Sequence, residues 1–110
     1  MIRVRVKGSP DRIEGFIVWG HALYAPYGAD IVCAGVTAVC MTTLIGIARL
    51  APGHVVHGVS GRGILYCRLT GAVPGRLRRD LQLLLEVMVC GLQAIQSVYG
   101  AYVDLVLPGG

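Results

Sequence analysis

Residues 30–53 read DIVCAGVTAVCMTTLIGIARLAPG, and the choice of fold turns on that stretch. From Ile31 to Ala48 it carries no charged residue, which reaches the lower limit of length for a membrane span. Against a span stand its small and hydroxyl residues: Gly35, Gly46, Thr37, Thr42 and Thr43. Asp30 and Arg49 bracket it closely, with neither an aromatic belt nor a positive-inside loop. A buried helix of a small α/β domain has the same composition, and the stretch is read as one. Asp30 is a good N-cap, Ala51-Pro52-Gly53 is a stop, and the helix between them runs to about Arg49.

N-terminal to this helix, Ile2, Val4 and Val6 alternate with Arg3, Arg5 and Lys7, the period-two pattern of a half-exposed strand. Ser9-Pro10-Asp11 is turn chemistry, and a second strand runs from Arg12 to Trp19, closing a hairpin. Gly20-His21-Ala22 ends that strand, and Leu23 to Ala29 is a short connection. On the C-terminal side, Val55, Val56 and Val59, then Ile64 to Leu69, read as two strands joined around 58–63. Pro74-Gly75 opens a second helix with its body over Leu77 to Tyr99. Leu81, Leu84, Leu85, Met88, Leu92 and Ile95 recur at helical spacing, and Gln82, Glu86, Gln93 and Gln96 take the other side. Gly100 ends it, and Tyr102 to Leu107 makes a last strand. The order ββαββαβ predicts an α+β fold, one two-layer domain over residues 1–110 with a mixed sheet covered by two helices.

The chain has 110 residues, 55% of them hydrophobic and only 15% charged. Buried helices together with an apolar subunit interface account for that balance. Met1 to Lys7 alternates apolar and basic residues and contains no apolar run of a secretory signal. Cys33, Cys40, Cys67 and Cys90 are widely spaced without a CxxC pair, which suits a reducing cytoplasm; with 31–48 read as a buried helix, no membrane association is expected. The net charge of +4 is a mild bias that does not by itself support direct RNA binding.

A thiol becomes a nucleophile when its thiolate is stabilised and a base lies nearby. With Asp30 as cap, Cys33 falls in the first helical turn, beside unpaired amides and the positive helix end. A helix end contributes about 0.3–2 kcal/mol, too little alone, so a cationic partner is needed as well. His21 closes the preceding strand, and the short connection returns it toward the helix start, where it can take the thiol proton and later protonate a leaving amine. The chain contains no Asn, so the third group is open: Asp30 either caps the helix or orients the imidazole. Amides at the helix start, with Gly28 or Ala29, are oxyanion-site candidates. Tyr24, Tyr27 and Gly28 lie on a segment able to close over a peptide, the tyrosines near its apolar side chains. Cys40 lies on the Cys33 face about 10 Å along the helix, too far for a disulfide. Cys67 and Cys90 read as core. His54 and His57 fall on opposite faces of a strand, so neither a metal site nor a cofactor is expected. The glycines from 58 to 63 read as a hairpin turn and not a phosphate loop. Arg76, Arg78 and Arg79, like Arg3, Arg5 and Lys7, read as solvated faces.

Gly20-His21-Ala22 followed by Gly28-Ala29-Asp30-Ile31-Val32-Cys33-Ala34 resembles the signature of the ribosomal-processing cysteine protease family. The resemblance extends to the leucine-rich helix around Leu83-Leu84-Leu85-Glu86 and Gly91-Leu92. It implies a homodimeric cytoplasmic peptidase that removes a short N-terminal extension from a large-subunit ribosomal protein. The family's catalytic His matches His21, its nucleophilic Cys matches Cys33, and the acid before the Cys matches Asp30. Thr37 stands where Ser is usual and lies one turn beyond Cys33 on the same face, so a supporting hydroxyl is retained. Gly35 stands where Ala is common. A non-catalytic homodimeric module assisting ribosome assembly is the alternative from another class; a thiol redox sensor is a third.

Overall fold

The computed structural model describes residues 1–61 and 63–109. Seven elements follow one another: β1 (Ile2–Ser9), β2 (Arg12–Gly20), α1 (Ile31–Leu50), β3 (Val55–Val59), β4 (Leu65–Leu69), α2 (Gly75–Tyr99) and β5 (Val103–Val106). The sheet order is β3-β4-β2-β1-β5. Every pairing is antiparallel except that of β1 with β5, which is parallel. This is the mixed sheet with two helices that the pattern predicted. Element ends differ from the sequence reading by a residue or two, where a strand ladder frays or a turn takes over. Arg62, expected in the turn between β3 and β4, lies outside the described residues.

Strand alternation decides which face is covered. Ile2, Val4 and Val6 of β1, Phe16 and Val18 of β2, and Leu65, Cys67 and Leu69 of β4 are buried. Against them α1 presents Val32, Val36, Cys40, Leu44 and Ile47, and α2 presents Leu81, Leu85, Met88 and Leu92. Each fully buried Leu or Ile side chain contributes about 1.5–3 kcal/mol. The register pairs Arg3 with Trp19, Arg5 with Ile17, and Ile17 with Tyr66, so these residues share the opposite, open face. Arg3 and Arg5 both reach Asp104, and the Arg5 guanidinium lies 5.1 Å from the Trp19 ring.

Both helices are long and apolar enough to cross a membrane; α1 reaches a mean hydropathy of 2.2. Each nonetheless buries one stripe against the sheet. Their outer sides stay open, with Ile31, Ile45 and Leu50 exposed on α1, and Leu83, Val87 and Val98 on α2.

Several expectations need correction. Arg78 is buried and not solvated: its Nη2 donates to the Ile13 carbonyl at 2.6 Å. Arg3 and Arg5 are likewise engaged by Asp104 and are not merely solvated. Cys90 is exposed, because the α2 side that carries it faces away from the sheet. Leu84 and Ile95 are half-buried at the margin of the apolar stripe. His54 precedes β3, its N–H donating to the Ala51 carbonyl in the turn after α1.

Candidate active site

β2 leaves the sheet at Gly20, whose φ of +86° and close approach to the Met1 carbonyl demand a glycine. His21 follows at once, exposed at the strand end. Leu23 takes φ +60°, a left-handed conformation uncommon for a leucine. A turn closed by the Ala29 N–H on the Pro26 carbonyl at 2.9 Å, with Gly28 at φ +89°, brings the chain to α1.

Asp30 caps α1. Its Oδ1 accepts the Cys33 N–H at 2.9 Å and its Oδ2 accepts the Tyr24 N–H at 3.1 Å. Those amides, that of Cys33 foremost, hold the carboxyl below the ordinary Asp range. The carboxylate therefore ties the loop to the helix start, and among the described residues it makes no hydrogen bond to His21. Of the amides considered for an oxyanion site, those of Ala29 and Cys33 are engaged by Pro26 and Asp30.

A cavity of about 510 Å³ opens at this point. His21, Asp30, Cys33 and Thr37 line it, with Leu23, Ala25, Tyr27, Gly28 and Ala34 supplying the remainder. The strand end and the first helical turn thus bring His21 and Cys33 to one hollow, although no hydrogen bond joins them among the described residues. Cys33 is half-buried there. Cys40 and Cys67 are buried, and desolvation pushes their thiols up to about 12 and about 11. Such thiols stay protonated at neutral pH. Cys33 is the only one of the four cysteines that lines this cavity.

Tyr27 lines the cavity and stands almost fully exposed. Tyr24 is not among the residues that line it; its ring packs on Tyr99 and Tyr102. Sequence reasoning missed Leu23, Ala25 and Ala34 as lining residues. Nothing at the local scale marks them: they become walls only because the connection folds back over α1. Tyr99 and Tyr102, far along the chain, were missed for the same reason.

A family model described as cysteine protease Prp matches residues 1–104. A ribosomal processing cysteine protease Prp of Bacillus subtilis (strain 168) is 33% identical over 101 residues, covering 90% of each chain. Among solved structures, the essential ribosomal processing protease Prp of S. aureus with a covalently linked product peptide superposes with a TM-score of 0.82. It is 28% identical, over 97% of this chain and 99% of that one. The same protease with a substrate peptide gives a TM-score of 0.77 at 27% identity, over the same shares.

Proposed function

The chain belongs to the cysteine protease Prp family, and from that premise we propose that it trims a short N-terminal extension from a large-subunit ribosomal protein, with Cys33 as nucleophile and His21 as base. The observation that carries this reading is the shared cavity: the one cavity-lining thiol, an imidazole and a capped helix start meet there. Support comes also from the S. aureus relative, which holds a substrate peptide in one structure and a covalently linked product peptide in another.

The reaction runs in two halves. His21 takes the Cys33 proton and the sulfur attacks the scissile carbonyl carbon. The resulting imidazolium gives its proton to the departing amine, leaving a thioester on Cys33. Water, deprotonated by His21, then attacks the thioester, and the Cys33 sulfur leaves and regains a proton. Asp30 acts through position, holding the turn that carries Cys33. Thr37 lines the cavity one turn farther on, and its hydroxyl is a hydrogen-bond partner for the bound peptide. The loop from Leu23 to Gly28 closes over the peptide, with Tyr27 against its apolar side chains.

The deciding experiment mixes the protein with the extended ribosomal protein from its own source and follows the mass of the latter. The extension is removed by the native enzyme, and Cys33→Ala abolishes trimming while leaving the fold intact. A non-catalytic assembly module would trim nothing in either form, and undiminished trimming by the variant would remove Cys33 as nucleophile; either outcome sinks the proposal.

The protein is further read as a cytoplasmic homodimer without membrane attachment. The dimer is supported by the apolar outer side of α1 and α2, where Ile31, Leu83, Val87 and Val98 stand exposed and a second copy would cover them. Light scattering is expected to return twice the 11.7 kDa of one chain; a monomer at micromolar concentration rejects it.

A further inference from the structure

Tyr24 turns away from the cavity into an aromatic corner. Its ring centroid lies 5.5 Å from that of Tyr99, with planes 84° apart, and 5.2 Å from that of Tyr102, at 82°. Both are edge-to-face contacts. Tyr99 is the last residue of α2, and Tyr102 immediately precedes β5. The Tyr102 N–H donates to the Tyr99 carbonyl at 2.9 Å, and the Tyr102 carbonyl accepts the Ile2 N–H at 3.0 Å. The corner is therefore fixed to the sheet through β1.

From that corner a continuous set of contacts reaches the nucleophile. The Tyr24 N–H donates to Asp30, and the other oxygen of the same carboxylate holds the Cys33 N–H. Leu23, just before Tyr24, sits at φ +60°, a conformation that persists only where its surroundings impose it. None of the three tyrosine hydroxyls makes a hydrogen bond among the described residues, so the contact resides in the rings.

We propose that Tyr99 and Tyr102 are positioning residues for the proteolytic reaction: through Tyr24 they clamp the His21–Asp30 connection where the imidazole can reach the Cys33 thiol. The role rests on the His21–Cys33 reading above. The clamp divides the connection into an anchored part, from His21 to Tyr24, and a following turn whose Ala25, Tyr27 and Gly28 line the cavity.

The test follows iodoacetamide alkylation of Cys33 against pH, resolved by mass spectrometry, in the full-length protein. A thiol paired with an imidazolium reacts near about pH 6, where an isolated thiol is almost wholly protonated. Tyr99→Leu and Tyr102→Leu are each expected to slow alkylation near about pH 6 roughly 3- to 10-fold, the loss of one aromatic contact. At about pH 9.5, where the thiol ionises unaided, their rates stay at the native value. Tyr99→Phe restores the native profile. In a double-mutant cycle, Tyr24→Leu combined with Tyr99→Leu reacts no more slowly than Tyr24→Leu alone. Labelling of Cys40 or Cys67 would report unfolding, since both are buried.

Native profiles in all the leucine variants, or additive losses in the cycle, overturn the clamp while leaving the protease reading intact. A native protein that trims nothing and shows no reactivity at low pH removes the His21–Cys33 pairing itself, and the clamp with it.

Discussion

At the residue scale, Asp30 separates two roles that look alike in the chain. Both of its oxygens accept backbone amides, so what it supplies is hydrogen-bonding geometry at the start of α1. Asn can keep the bond to the Cys33 N–H but sets its donor NH2 where Oδ2 accepts the Tyr24 N–H, and Ala keeps neither. Asp30→Asn is therefore expected to lose part of the trimming rate, while Asp30→Ala loses more and melts at a lower temperature. Equal damage by both would mean that the cap on Cys33 contributes nothing of its own. The pH dependence has a definite sign. The folded-state value of Asp30 is depressed, so its stabilisation is present above the unfolded value and fades as pH falls through the lower folded one. Thermal melts of native protein and Asp30→Ala should converge on acidification. That His21, Asp30 and Cys33 meet at one hollow was legible because the three follow each other closely in the chain. The aromatic corner was not, because Tyr24 meets partners some 75 and 78 positions later that share no sequence pattern with it.

At the scale of elements, alternation identified β1 and helical spacing identified α2, while α1 was legible from its uncharged run between the Asp30 cap and the Ala51-Pro52-Gly53 stop. Periodicity failed where a polar residue sits on the buried face for a reason of its own. Arg78 is the clearest case, a cation in the first turn of α2 against the helix dipole. Its guanidinium donates to the Ile13 carbonyl, while Gln82 Oε1 accepts the Ile13 N–H at 2.7 Å. Together they lock the N-terminal half of α2 to the start of β2. Glu14, 3.6 Å away and substantially exposed, adds little. Arg78→Met leaves the Ile13 carbonyl without its donor and should cost about 1–3 kcal/mol, read as a lower urea midpoint at an unchanged slope. A midpoint equal to that of the native protein would show that the guanidinium is dispensable.

On the scale of the whole molecule, two layers and seven elements were legible, but the strand order was not: alternation tells which face a strand buries, not which neighbour it takes. The single core that results has a consequence for alkaline stability. Burial raises the thiols of Cys40 and Cys67 to about 12 and about 11. In the unfolded chain they ionise first, so the stability they lend is whole below about pH 8.5 and is lost as pH rises toward the folded values. The denaturant midpoint should fall over that range, and Cys40→Ala with Cys67→Ala should flatten the fall. A slope unchanged in the double variant would assign it to other groups.

The parallel pairing of β1 with β5 joins strands far apart in the chain. Ile2 meets Val103 and Arg5 meets Val106, a contact whose loop-closure entropy must be met before it stabilises anything. Tyr102, at the threshold of β5, comes into place with it, since its carbonyl accepts the Ile2 N–H. The corner against which Tyr24 rests is thus expected among the late events of folding, after the local hairpin of β1 and β2 has closed.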